Sequence, residues 1–127
     1  RLDTYFYYRH LDVHAMREAA GYLVGEHDFK SFCSIHAQVE TTVRRIYALT
    51  VDKKEDIITI RITGNGFLYN MVRIIAGTLI RVGTGEYKPE QIPEILAAKD
   101  REMAGPTAPA HGLTMIGIEY EDLEEKS

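Results

Sequence analysis

The chain has 127 residues, 45% of them apolar, with a single cysteine, no tryptophan and a net charge of −4. That length suits one domain over residues 1–127 with a core large enough to need no staples. One cysteine excludes a disulfide framework and a Cys-rich zinc site, no apolar run approaches the roughly 18 residues of a membrane span, and the acidic balance weighs mildly against a nucleic-acid partner.

Thr4–His10 is short and aromatic-rich, which suits a strand. Asp12 can cap a helix in which Val13, Met16, Ala20, Leu23 and Val24 recur at helical spacing, with Gly25 as its stop. After a loop, residues 43–51 alternate, with Val43, Arg45, Tyr47, Leu49 and Val51 on one side, and read as a strand. Lys53-Lys54-Glu55-Asp56 is a polar turn, and Ile58, Ile60 and Ile62 line one face of the partner strand, which completes a hairpin. Gly64-Asn65-Gly66 breaks that strand and opens a strongly apolar helix from Phe67 to about Val82, ended by Gly83 and Gly85. Pro89 suits the first turn of another helix, to about Ala98. A loop with Gly105, Pro106 and Pro109 then leads into a last strand, Leu113–Tyr120. Strands and helices in this order, without a βαβ rhythm, predict an α+β fold, an antiparallel sheet with helices packed on one face.

Charge is unevenly spread. Residues 119–127 hold five acids and one lysine, so the other 118 residues are neutral, and within them positions 41–81 carry seven cations against three acids, a local +4. A solvated tail and a basic middle are different objects, and only the middle can meet an anion. The apolar helix after Gly66 leaves one polar stripe, Asn70, Arg73, Gly77 and Arg81, at about one turn each. A solvated face would explain the stripe. Gly77 argues otherwise, since glycine costs up to about 1 kcal/mol in a helix interior relative to alanine, and a close approach to the backbone there would account for it. If the stripe is covered, Arg73 keeps its charge and needs an anionic partner, a carboxylate from elsewhere or a phosphate.

Other candidate chemistry is thinner. Amides of Gly64-Asn65-Gly66 could face a phosphate, although two glycines at such a turn have an ordinary conformational reading. His10 and His14 straddle a strand end and a helix start, and Cys33 with His36 resembles half a zinc site without a second pair, so no metal is expected. Cys33 reads as a small buried residue, and Glu26, Asp28 and Asp100 form no evident acid–base pair. As a self-contained enzyme the chain looks incomplete, and its opening on Arg1 fits a piece of something longer. A soluble cytoplasmic location without membrane contact is the default expectation, and no leader is evident.

Several segments together carry a resemblance. His27-Asp28-Phe29-Lys30-Ser31-Phe32-Cys33, Thr42-Val43-Arg44 and the string from Gly64 through Asn70-Met71-Val72-Arg73 to Leu79 are similar to the tRNA pseudouridine synthase A family. Ala97–Arg101, Gly105-Pro106-Thr107-Ala108-Pro109 and His111-Gly112-Leu113 continue it in the same order, so that it covers roughly Asp12 to Tyr120. The resemblance implies a cofactor-free isomerase that turns uridine into pseudouridine in the tRNA anticodon stem-loop, at tRNA positions 38–40. In that family two halves with antiparallel sheets bracket a cleft, the protein is a homodimer, and one tRNA touches both subunits. The family's nucleophilic aspartate lies in an Arg-Thr-Asp-x-Gly-Val-His segment of its amino-terminal half, which these 127 residues do not contain. The chain is therefore expected to match the carboxy-terminal half alone and to be inactive without its amino-terminal partner.

Carried over residue by residue, Arg73 matches the arginine that pairs with the catalytic aspartate. Leu113 matches an apolar residue beside the target base, Val72 a wall of the same pocket, and Arg44 is a candidate for phosphate contact by position and charge. The surface normally covered by the other half implies a homo-oligomer. The alternative is a non-catalytic RNA-binding or oligomerisation module, and a metal hydrolase has little support in the ligand spacing.

Overall fold

Ile58, Ile60 and Ile62 alternate with Thr59, Arg61 and Thr63, and this period dictates a strand with one buried face. The computed structural model describes residues 2–7, 11–34, 41–54, 57–68, 70–108 and 119–120. Those three isoleucines are wholly buried on β4 (Ile57–Gly64), which forms the expected hairpin with β3 (Val43–Lys54). On the other flank of β4 lies β1 (Leu2–Tyr7), in register from Leu2 opposite Ile62 to Tyr7 opposite Ile57.

A four-residue strand, β2 (Gly25–Asp28), forms one edge against β3, and β5 (Glu119–Tyr120) pairs with β1 at the other. The order is β2-β3-β4-β1-β5, and every described pairing is antiparallel. The fold is α+β, as the element order predicts.

Helix α1 (Val13–Leu23) starts where expected. The Asp12 carboxylate accepts from the Ala15 amide at 3.1 Å, and Met16, Ala19, Ala20 and Leu23 form the buried stripe. It packs on β3 and against α2 (Met71–Gly83) and α3 (Gln91–Ala98). The Asp12 amide donates to the Gly83 carbonyl at 2.9 Å, which joins the start of α1 to the end of α2. Among the described residues no helix is long and apolar enough to cross a membrane.

Several features differ from the sequence expectation: β1 starts at Leu2 and not at Thr4, β3 runs on to Lys54 through two residues expected in the turn, and α3 starts at Gln91, so that Pro89 lies ahead of the helix. The side of β3 changes at a register shift between Ile46 and Ala48, so Ile46, Leu49 and Val51 face the core. Val43, Arg45 and Tyr47, expected on that same side, are exposed, Tyr47 by 53%. One extra residue in a strand reverses the pleat beyond it. Val24 leaves the α1 stripe because its backbone is already extended, and it is 37% exposed. The region expected as a loop holds β2 and a 3-10 turn at Lys30–Phe32. Finally, α2 starts at Met71 and not at Phe67, since Asn70 takes the left-handed conformation (φ 60°, ψ 8°), which a right-handed helix cannot include. Most of the expected strand at Leu113–Tyr120 lies outside the described residues, as do residues 8–10.

Candidate functional site

Helix α2 is almost entirely buried, and of its 13 residues only Arg73 and Arg81 escape full burial. The stripe is covered at Gly77, as that residue implied, but by the chain itself, while Asn70, Arg73 and Arg81 stay partly exposed. A Cβ at Gly77 would lie 1.8 Å from the Pro106 carbonyl oxygen, and one at Gly105 would lie 2.8 Å from the Thr78 Cα. Two glycines, one on each side, thus let the 104–108 segment lie directly on the helix backbone.

Hydrogen bonds fasten this strap at both ends. The Gly105 amide donates to the Thr78 hydroxyl at 2.9 Å, and that hydroxyl donates to the Ile74 carbonyl at 2.8 Å. The Ala108 amide donates to the Arg73 carbonyl at 2.9 Å, while Arg73 Nε returns a bond to the Ala108 carbonyl at 2.8 Å. Arg101 holds the strap from behind through the Gly105 carbonyl (2.8 Å) and the Thr107 hydroxyl (3.1 Å). Below it, the buried Ser31 hydroxyl accepts from the Asp100 amide at 2.8 Å and donates to the Ile95 carbonyl at 2.7 Å.

The Arg73 side chain is half-buried at the end of this strap. With Nε engaged, its Nη1 approaches Asn70 Oδ1 at 3.4 Å, and Asn70 Nδ2 donates to the Ser34 hydroxyl at 3.1 Å. Among the described residues no carboxylate forms an ion pair with Arg73. Among the described residues only neutral oxygens hold this guanidinium and none takes Nη2, which suits it to bind an anion.

The other expected site residues are distributed as follows. Val72 precedes Arg73 on α2 and is buried. Arg44 folds back on its own strand, donating from Nη1 to the Thr41 and Val43 carbonyls at 2.9 and 2.7 Å. Its Nε lies 3.7 Å from where a Cβ on Gly66 would be, above the segment that leads into α2. Leu113 lies outside the described residues, as do His10 and His36.

Gly64-Asn65-Gly66 does not form a phosphate cradle at a helix start. The Asn65 amide donates to the Arg45 carbonyl and its Oδ1 accepts from the Arg45 amide, both at 3.0 Å, and the helix begins only at Met71. Glu26 pairs with Arg45 at 2.7 Å, Arg81 pairs with Glu86 at 2.5 Å, and Asp100 accepts from the Glu102 amide at 3.0 Å. Asp28 accepts from the Lys30 amide at 3.1 Å and from the Thr42 hydroxyl. These carboxylates have structural partners. The buried Cys33 thiol donates to the Lys30 carbonyl at 3.6 Å, and burial first, then the Asp28 charge, raise its pKa above the usual thiol value, which opposes a nucleophilic role. Among the described residues no three His, Cys, Asp or Glu side chains converge as a metal site would need.

Ala108 and the strap are not evident from residue types, because they act through backbone groups, and nothing in the type of Ser34 singles out its hydroxyl as the partner of Asn70. The one available signal was the pairing of Gly77 with a later Gly105-Pro106. Comparison with known proteins gives the family. A family described as tRNA pseudouridine synthase matches residues 19–121. The tRNA pseudouridine synthase A of Brevibacillus brevis is 60% identical over 110 residues, which cover 87% of this chain and 45% of that protein. The corresponding proteins of Bacillus pumilus and Bacillus subtilis are 53% and 52% identical over 118 residues, 93% of this chain and 47% of each. The chain spans about half the length of the curated relatives it matches.

Proposed function

Since the chain belongs to the tRNA pseudouridine synthase family, we propose that the protein carrying it isomerises uridine to pseudouridine in the tRNA anticodon stem-loop, at tRNA positions 38–40. The observation that carries this reading is Arg73, half-buried, fixed through Nε and without a carboxylate partner among the described residues. An aspartate from polypeptide outside these 127 residues, the amino-terminal half of the family's architecture, completes the site. In this account residues 1–127 form a single domain that is inactive alone and needs no cofactor.

The chemistry follows from charge. The reaction breaks the base–sugar C–N bond and re-forms a C–C bond, and it relies on an ionised, correctly aimed carboxylate. A neighbouring guanidinium favours the charged form of that carboxylate. In a site shielded from water the same contact also holds the carboxylate where charge develops, without reorganisation at the moment of reaction. The target base is turned out of the stem-loop to reach it. Val72 and Leu113 wall the base pocket, and Arg44 contacts a phosphate.

Outside the pocket, the exposed Tyr47 and Val43 on β3 support a covered surface in the assembled protein. The natural state is then a homo-oligomer, one tRNA contacts both subunits, and the protein works in the cytoplasm. Sedimentation of the chain at high concentration tests the association, and a strictly monomeric profile contradicts it. The enzymatic reading is tested by joining the missing half, covalently or in trans, and measuring pseudouridine in tRNA. Activity should return, and Arg73→Ala should abolish it with an unchanged circular dichroism spectrum. Normal turnover in that variant defeats the reading. Tight, steeply salt-dependent RNA binding by this chain alone, with no activity on reconstitution, points to a binding module instead.

A further inference from the structure

Asn70 immediately precedes α2 at φ 60°, one of two non-glycine residues with positive φ among those described. Asparagine tolerates that conformation better than most residues, and an asparagine at a helix start ordinarily uses its side chain to accept from a backbone amide two or three residues on. Asn70 does not: it makes no side-chain cap hydrogen bond. Arg73 is the third residue of the helix, and the Asn70 carboxamide reaches its side chain rather than its amide, with Oδ1 3.4 Å from Nη1. The other end of the same carboxamide is anchored at 3.1 Å on the Ser34 hydroxyl, 36 residues away in sequence.

We propose that Asn70 is a positioning residue for Arg73, its carboxamide bridging Ser34 to the guanidinium so that the Nη edge is presented in one orientation. Two anchors define a plane. The Ala108 carbonyl takes Nε at 2.8 Å, and Asn70 limits rotation from the Nη1 side. An incoming carboxylate is therefore bound end-on, through Nη1 and Nη2, because the side edge that includes Nε is already engaged. Both anchors are neutral, so they orient the guanidinium without competing for its charge. A free arginine side chain loses rotamer entropy when it is immobilised, and preorganisation removes that loss from the reaction barrier. The left-handed backbone of Asn70 takes its side chain out of the extended geometry from which a cap reaches the helix amides, and this leaves the carboxamide available to Ser34 and Arg73.

The inference rests on the reading of Arg73 given above, and the experiment separates the two. Single-turnover and steady-state pseudouridine formation are measured in the intact protein for Asn70→Gly, Asn70→Asp and Arg73→Ala, together with thermal melting. Glycine keeps the left-handed backbone and removes the carboxamide. It should lower kcat by about tenfold, leave KM for tRNA unchanged and leave the melting temperature near that of the wild type. Aspartate keeps the shape and the backbone preference but places a competing anion against Arg73, so kcat should fall further than with glycine. Wild-type kcat in both Asn70 variants, with activity lost in Arg73→Ala, overturns the positioning role and leaves Arg73 standing. Full activity in Arg73→Ala overturns both. Should the glycine variant fail to fold, the nearly isosteric aspartate variant decides by the same kcat comparison.

Discussion

Replacing Gly77 by alanine is an informative test of the strap, because two effects predict opposite signs. Helix propensity alone favours Gly77→Ala by up to about 1 kcal/mol. The structure predicts a loss. The new methyl would sit 1.8 Å from the Pro106 carbonyl oxygen, against an ordinary C···O contact of roughly 3.3 Å, so helix and strap separate by about 1.5 Å. That displacement breaks the bonds between Ala108 and Arg73 (2.9 and 2.8 Å) and between Gly105 and Thr78 (2.9 Å). Three hydrogen bonds at about 1 kcal/mol each, less the propensity gain, leave a net destabilisation of about 2 kcal/mol. For a domain of this size that lowers the melting temperature by about 7 °C. Thermal unfolding of the intact protein, followed by circular dichroism, measures the shift, and turnover should fall with it as the Ala108 carbonyl leaves Nε. A variant that melts at or above the wild-type temperature refutes the contact.

Other positions give independent checks. Ser31→Ala removes a buried hydroxyl that both donates to Ile95 and accepts from Asp100, and leaving those groups unpaired should cost about 1–3 kcal/mol in denaturant unfolding. Asp12→Ala removes the cap of α1 and should cost about 1 kcal/mol by the same assay. The raised pKa of Cys33 means that the folded state holds its proton at a pH where the unfolded chain releases it. The contribution is therefore full below the usual thiol pKa and is lost as pH rises through the raised one. Stability of Cys33→Ala should fall less steeply across that alkaline window, and the native thiol should react with a thiol reagent far more slowly than free cysteine.

Features that alternate between water and core were legible in the sequence. The isoleucines of β4, the Asp12 cap and the Gly85 stop of α2 each follow from a local rule, and the structure has all three, although Gly83, expected to share in the stop, is the last residue of the helix. β2 was not legible, since Gly25-Glu26-His27-Asp28 has no apolar alternation and pairs at an edge through its backbone. Nor was the irregularity in β3, because one extra residue leaves composition unchanged while it reverses which side chains face inward. Apolar residues run on before α2, so hydrophobicity cannot locate its start, which depends on the backbone of Asn70.

The site divides in the same way. Arg73 and Gly77 stand out on an apolar helix, and the close approach at Gly77 follows from its lack of a side chain. What approaches is a carbonyl of Pro106, and Ala108 likewise acts through its backbone. Neither residue type distinguishes itself in a sequence.

A crystal structure of the whole protein with an anticodon stem-loop bound tests the central idea most directly, through the surroundings of the Arg73 Nη atoms. The account predicts an aspartate carboxylate, contributed by polypeptide outside these 127 residues, at about 3 Å from Nη1 and Nη2, with Nε still on the Ala108 carbonyl. A guanidinium that points into solvent, or that lies against one of this chain's own carboxylates with the uridine bound elsewhere, contradicts it.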